Sequence, residues 1–145
     1  MNLHPMIVHF PIALLMTGFF FATIELLLKK EHKCKLGFTI EPNLIKRTAY
    51  FLLFLGSLSA IVAVLSGFLF TSEMEGPLGE LREIHLTIAI TTTVLSILST
   101  IFYTYYNFKD HSNITRIIGY ILYLLCAALI ATTGYFGGEI VYMFK

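Results

Sequence analysis

Residues 49–70, AYFLLFLGSLSAIVAVLSGFLF, contain no charged side chain and decide the class of this protein. The hydrocarbon core of a bilayer is about 30 Å thick, and an α-helix of about 20 apolar residues crosses it. Three further segments are as long and almost as free of charge, namely residues 6–28, 86–106 and 117–136. The sequence therefore predicts an all-α fold, a four-helix transmembrane bundle that forms a single domain over residues 1–145.

The composition agrees with this class. Hydrophobic residues make up 57% of the chain and charged residues 13%, and the mean hydropathy is +0.78. A soluble globule with so few polar side chains could not cover its surface. The lipid bilayer is therefore the first predicted partner, and the four spans leave no room for a second domain.

The basic residues predict the orientation in the membrane. Most of them lie in the connection between the first two spans or in that between the last two; they are Lys29, Lys30, Lys33, Lys35, Lys46, Arg47, Lys109 and Arg116. Lys and Arg are enriched in cytoplasmic loops. Both termini, together with the acidic connection around Glu80, are therefore expected to be extracytoplasmic. No basic cluster resembles a nucleic-acid surface.

Prolines, glycines and one carboxylate give local predictions. Pro11 lacks a backbone N–H, so the first helix should bend near His9. The Gly137–Gly138 pair is expected to end or loosen the fourth helix. Glu25 lies four residues before Lys29, and we expect these two side chains to pair at the membrane boundary.

Small residues recur at steps of three and four in three of the spans, which places them on one face of each helix. The second span has Gly56, Ala60, Ala63 and Gly67; the third has His85, Ala89, Thr92, Ser96 and Ser99; the fourth has Ala127, Ala131, Gly134 and Gly138. The first span is less regular, with His9, Ala13 and Met16 on one face and Gly18 and Ala22 on another. Small faces let membrane helices approach closely, so these faces are predicted to line the bundle interior.

Two histidines fall at the same predicted depth, His9 in the first span and His85 in the third. If each helix packs on its sequence neighbours, these two spans are diagonal, with axes about 12–14 Å apart. Two imidazoles can reach one iron across that gap, and the small residues leave room for a porphyrin. The sequence thus favours a haem b with His9 and His85 as axial ligands. The predicted cofactor-binding set is His9, His85, His4, Ala89, Gly67, Gly134 and Gly138.

His4 leaves the choice of ligands open. It lies five residues before His9, on another face of a regular helix, but it could replace His9 if Pro11 displaces the helix. The three histidines together could instead hold zinc or copper. A cofactor-free structural or assembly subunit is a further alternative, because small stripes pack membrane helices without any cofactor.

The motifs of common enzymes are missing from the sequence. It has no nucleophile elbow, phosphate-binding loop, paired catalytic carboxylates or HExxH motif, so a hydrolase or kinase has no residues to rest on. Bis-histidine ligation leaves no open position on the iron, which favours electron transfer. We therefore expect an electron carrier or a subunit rather than a self-contained enzyme. Its predicted partners are a quinone or an extracytoplasmic redox protein, and it could form a homo- or hetero-oligomer.

Two motifs carry a resemblance to a known family. The opening LHPMIVHFPIAL, residues 3–14, and the closing GGEIVY, residues 137–142, together with His85, resemble a bacterial family of predicted membrane proteins, the domain of unknown function DUF2231. The likeness implies a compact four-helix domain, and with the charge pattern it indicates a multi-pass protein of the bacterial inner membrane. The matching motif residues are His4, Pro5, His9, Pro11, His85, Gly138 and Tyr142. The resemblance implies no activity, so the cofactor prediction depends on the histidines and small residues.

Overall fold

The computed structural model describes residues 4–27, 32–33, 39–71, 75–110 and 112–143. Its helices are α1 (His4–Ile7), α2 (His9–Leu27), α3 (Pro42–Phe70), α4 (Pro77–Tyr105) and α5 (Asn113–Met143), and a π-helical turn at Tyr106–Asp110 continues α4. Two-residue strands β1 (His32–Lys33) and β2 (Thr39–Ile40) pair antiparallel between α2 and α3. Four helical segments are long and apolar enough to cross a membrane, which confirms the predicted all-α bundle.

Helices α3 and α4 begin earlier than the hydropathy of the sequence indicates. α3 starts at Pro42 and α4 at Pro77, whereas the apolar segments within them begin at residues 49 and 86. Proline suits the first turn of a helix, because the missing N–H has no intrahelical partner there. Gly76, just before Pro77, has a φ of 67°, a conformation that glycine adopts without strain. The apolar segment therefore marks only part of each helix.

The first span is interrupted where the sequence predicts a bend. Val8 forms a turn between α1 and α2, while its N–H still bonds to the His4 carbonyl at 3.1 Å. Pro11 has no N–H to offer the carbonyl of Ile7, four residues earlier, and its ring crowds that turn. The bend near His9 is confirmed, and it separates the direction of His4 from that of α2.

Of the two expectations for Gly137–Gly138, that the pair ends the fourth helix or that it loosens it, the first is wrong. α5 continues through both glycines to Met143. Glycine in a helix interior is destabilising by about 1 kcal/mol relative to alanine, which is too little to end a helix of 31 residues.

The long helices form a ring in sequence order. α2 packs on α3, α3 on α4, α4 on α5, and α5 closes the ring on α2, while α1 rests on α3. α2 and α4 therefore occupy opposite corners of the bundle, as predicted for the first and third spans.

Small and hydroxyl side chains build the interior of the bundle. The buried residues of the predicted stripes on α3 and α4 are Gly56, Ala60, Ala63, Thr92, Ser96 and Ser99. Most of the hydroxyls bond to a carbonyl, as Thr92 Oγ1 does to Ile88 O at 2.7 Å. The faces predicted for these two helices are therefore confirmed.

The predicted faces of α2 and α5 are confirmed in part. On α5, Ala127 is buried as predicted, but Ala131 is exposed, and the buried face also contains Cys126, Ile130 and Thr133. Cys126 Sγ contacts the Thr92 carbonyl of α4 at 3.7 Å, so α4 packs on the side of α5 that carries Cys126. Ala131 lies one residue beyond the buried Ile130 and points away from that side. On α2, the face that carries His9, Ala13 and Met16 is exposed, and the buried positions are Pro11, Leu15, Gly18, Ala22 and Glu25.

Neighbouring side chains fill the glycine notches in the middle of the bundle. A Cβ at Gly56 would lie 2.6 Å from Leu15 Cδ2, and one at Gly18 would overlap Tyr123 Oη. Both filling side chains are 0% exposed. The small residues therefore serve close packing in this region and leave free volume elsewhere.

Candidate cofactor site

A cavity of about 910 Å³ opens inside the bundle near the start of α1. Every residue of the predicted cofactor-binding set lines it: His4, His9, Gly67, His85, Ala89, Gly134 and Gly138. Cofactor and ligand sites in proteins are usually about 300–1,000 Å³. The cavity is therefore large enough for an extended cofactor. We call this end of the molecule, which carries His4, Gly67, His85 and Gly137, the histidine end.

The walls of the cavity are mostly apolar. Apolar side chains such as Ile12, Val64 and Ile130 line it, and they come from three different helices. Arg82 is the one residue with a permanent charge among the described residues that line the cavity. Apolar walls with a few polar groups are typical of cofactor sites.

His85 enters the cavity from α4 and is held by α5. Its Nδ1 lies 3.1 Å from the backbone carbonyl of Thr133. Because a carbonyl only accepts, Nδ1 must carry the proton, and in the neutral ring Nε2 then has a free lone pair. The ring lies against Gly137, where an added Cβ would be 3.2 Å from Cε1. Gly137 therefore provides the space for this imidazole.

His4 enters from α1 and is held by α3. Its Nδ1 lies 2.7 Å from Ser66 Oγ, and that hydroxyl donates to the Ala63 carbonyl at 2.7 Å. The Ser66 oxygen therefore accepts the proton of His4 Nδ1, which again leaves Nε2 with a lone pair. The ring lies against Gly67, where an added Cβ would be 3.2 Å from Cε1.

His9 has a different environment, although it also lines the cavity. Its side chain is exposed. Its Nδ1 bonds to the Pro5 carbonyl one turn earlier, at 2.5 Å. α3 and α5 hold the other two rings, whereas His9 bonds only to its own segment of chain.

His4 and His85 approach the cavity from opposite corners of the bundle. α1 continues into α2, which is diagonal to α4, and the two rings pack on different intervening helices. No group of three or more His, Cys, Asp or Glu side chains within the described ranges is arranged to hold a metal ion.

A second polar cluster lies at the opposite end of the bundle. Glu25 of α2 is 9% exposed, and its carboxylate is 3.5 Å from Arg116 Nη1 of α5. Glu25 therefore pairs with Arg116, one of the basic residues that precede the fourth apolar segment. The expected pair with Lys29 lies outside the described residues. Nearby, Thr23 and Tyr120 join the same two helices through a 3.1 Å hydroxyl pair.

Two tyrosine hydroxyls remain buried beside this polar cluster. In the part of the chain that the structure describes, Tyr103 Oη and Tyr123 Oη have no hydrogen-bond partner. Their rings pack edge to face, with centroids 6.4 Å apart. Buried hydroxyls of this kind are commonly satisfied by internal water.

Comparison with known sequences supports the class. The whole chain, residues 1–145, matches the family described as Predicted membrane protein (DUF2231). The chain belongs to this family. No curated protein and no solved structure matches it significantly. The family description gives a membrane location and no activity, so the chemistry of this DUF2231 chain has to be argued from its own residues.

Sequence reasoning missed three contributors to the site of this DUF2231 protein. Ser66 holds His4, Gly137 makes room for His85, and Arg82 adds a charge to the wall. Ser66 lies one residue before the predicted Gly67, so its depth on α3 could have indicated that it lies near the site. Gly137 was attributed to a helix end, and Arg82 was not among the predicted site residues.

Proposed function

We propose that this membrane protein holds a haem b at its histidine end and transfers electrons. The observation that carries the proposal is the pair formed by His4 and His85. They lie at opposite corners of one bundle, they line one cavity, and each is oriented by a hydrogen bond from Nδ1 to a fixed oxygen.

The hydrogen bonds at Nδ1 prepare each ring for metal ligation. Histidines that bind a metal through one nitrogen almost always donate the other N–H to a carbonyl, carboxylate or water. His85 donates to a backbone carbonyl and His4 to a hydroxyl that is itself anchored to α3. Both rings therefore offer the Nε2 lone pair, and their orientation is fixed before any ligand arrives.

His4 replaces His9 as the preferred partner of His85 in this proposal. The exposure of His9 and its bond to Pro5 favour a structural role at the rim of the cavity. His4 has the partly buried position that a ligand needs, which results from the turn at Val8. His9 stays the alternative ligand.

The volume and the glycines of the cavity fit a porphyrin. No described atom lies within 4 Å of a Cβ added at Gly138, and at Gly134 the nearest is Ile12 Cδ1 at 3.5 Å. A planar ring can therefore approach the backbone of α5 beside Gly138, whereas Ile12 covers Gly134. Bound haem supplies reversible one-electron chemistry. Two histidine ligands would fill both axial positions, which favours electron transfer over oxygen binding.

The orientation and partners complete the proposal. The basic connections favour both termini outside the cytoplasm, which puts the histidine end in the outer half of a bacterial inner membrane. An extracytoplasmic redox protein and a membrane quinone are the proposed donor and acceptor. Large apolar side chains such as Phe20, Phe68 and Leu125 are exposed on the helices and would contact lipid.

Optical spectra of purified protein test the proposal. We expect protein from a haem-competent host to have a Soret band with reducible α and β bands. His85→Ala and His4→Ala should each abolish or shift the low-spin spectrum, whereas His9→Ala should retain it. Retention of that spectrum in His4→Ala and its loss in His9→Ala would assign the ligand role to His9 instead.

A colourless preparation would contradict the haem proposal, and elemental analysis would then separate the alternatives. Stoichiometric zinc or copper that depends on His4, His9 and His85 would indicate a tri-histidine metal site. A colourless protein without metal would indicate a structural or assembly subunit.

A further inference from the structure

We infer that the cavity selects a ligand that carries carboxylates, and that Arg82 binds one of them. This inference rests on the proposed function, because it concerns the occupant of the same site. It separates a tetrapyrrole such as haem, which has two carboxylates, from a neutral quinone, which has none.

Arg82 is a partly buried cation on an otherwise apolar wall. It belongs to α4, three residues before His85, and it lines the cavity. Burying a charge is unfavourable unless a partner compensates it. Within the described ranges Arg82 has no ion pair; the ion pair found there joins Arg116 and Glu25. A ligand with an anionic group would supply the missing partner.

The acidic residues near Arg82 make no ion pair with it in the described structure. Glu80 and Glu83 flank it on α4, but both are exposed. Glu139 is partly buried at the same end of α5, yet it makes no ion pair with Arg82 in the described structure. The guanidinium is therefore the local charge that faces the cavity.

The chemistry of arginine identifies the group that it would bind. Its planar guanidinium presents parallel N–H donors that match both oxygens of a carboxylate. The same cavity wall carries His85, so one ligand can contact the imidazole with its centre and the guanidinium with its edge. Apolar walls between them suit the body of a tetrapyrrole.

Metal-free protoporphyrin IX and its dimethyl ester test this inference without any iron. Binding of each to the full chain in nanodiscs of zwitterionic lipid is followed by porphyrin fluorescence. We expect the diacid to bind about tenfold more tightly than the diester, because a charge-assisted hydrogen bond contributes on that scale. Arg82→Gln should remove this preference by weakening the diacid alone. Arg82→Lys, which keeps the charge and loses the fork, should retain part of it.

Arg47→Gln is the matched control, since Arg47 is an exposed arginine on α3 far from the cavity lining. It should leave the tenfold preference intact. Equal binding of diacid and diester to the unaltered protein would overturn the inference, and so would a preference that survives in Arg82→Gln.

The outcome is independent of iron ligation. If the haem spectra fail while the porphyrin preference depends on Arg82, the proposed haem function is wrong and the carboxylate site stands. If the spectra behave as expected and the preference is missing, only the role of Arg82 is wrong.

Discussion

His4 and His85 donate their Nδ1 protons to different kinds of acceptor. His85 donates to a backbone carbonyl, which no substitution can remove, whereas His4 donates to the side chain of Ser66. The orientation of His4 can therefore be tested without changing either histidine. Ser59 provides a comparison on the same helix, because its hydroxyl also bonds back to a carbonyl, that of Gly56 at 2.8 Å.

Ser66→Ala should weaken haem binding about 10–100-fold, the usual effect of losing an outer hydrogen bond to a ligating histidine. The loss arises because His4 Nδ1 no longer has an acceptor. Titration of apoprotein with haem measures the dissociation constant. Ser59→Ala should leave that constant unchanged, and an equal loss in both variants would mean that Ser66 acts only through helix packing.

Two adjacent glycines on α5 give a second prediction. Gly137→Ala puts a methyl group 3.2 Å from His85 Cε1, so the ring must move by a few tenths of an ångström. We expect weaker haem binding and a shifted spectrum. Gly138→Ala meets open space within the described residues, so it should leave His85 in place, change the spectrum less than Gly137→Ala does, and stabilise the helix by up to about 1 kcal/mol. Identical spectra for both variants would contradict the role of Gly137.

For single residues, the sequence predicted the depth in the bundle better than the direction in which a side chain points. Matched depth brought His85, Gly67 and Gly134 together correctly, because depth follows from the count of residues along a helix. The exposure of His9 could not be predicted, since it depends on how the turn at Val8 rotates α2 relative to α1. Arg82 was missed because its cavity exists only after α3 and α5 have packed.

At the end of the bundle that carries Glu25, polar and aromatic side-chain contacts join α2 to α5. The Glu25–Arg116 ion pair and the Thr23–Tyr120 hydroxyl contact link the two helices, and Phe19 stacks on Tyr120 with centroids 5.7 Å apart. The same two helices line the cavity at the histidine end. Polar and aromatic contacts therefore join α2 to α5 at the Glu25 end, whereas both helices border the cavity at the histidine end.

Breaking the Glu25–Arg116 pair should destabilise the bundle. Glu25→Leu leaves Arg116 poorly compensated, and we expect a loss of about 1–3 kcal/mol, below the range for fully buried pairs because the Arg116 side chain is 26% exposed. The double variant Glu25→Leu with Arg116→Leu should lose less than Glu25→Leu alone. Unfolding by SDS, followed by circular dichroism, measures both. Additive losses would show that the two side chains do not interact.

Hydropathy predicted the existence and order of the helices but not their ends. The number of spans follows from apolar length alone, whereas the early starts of α3 and α4 depend on Pro42 and Pro77 outside the apolar segments. The buried faces of α3 and α4 followed from small residues at helical spacing. The face of α5 followed only in part, because the predicted Ala127 is buried beside Cys126 and Ile130 while Ala131 is exposed.

For the whole molecule, the distribution of basic residues predicts a single orientation. With an even number of spans, both termini lie on one side, and the basic connections favour the extracytoplasmic side for them. A fusion of alkaline phosphatase after Lys145 should therefore be active in bacteria, and a fluorescent protein that matures only in the cytoplasm should be dark there. Fusions after Ser112, in a basic connection, should give the reverse pattern. A fluorescent C-terminal fusion would invert the proposed orientation.

Because the first span is interrupted at Val8, the hydrogen exchange of α1 should depend on whether the cavity holds a ligand. α1 is only four residues long, and a hydrogen bond from His4 to Ser66 joins it to α3, so its own closure is weak. A ligand bound through His4 adds its binding energy to that closure, about 2.7 kcal/mol when the ligand is at a hundredfold excess over its dissociation constant. Slower hydrogen exchange at the amide of Val8, without a matching change at the middle of α3, would register that coupling.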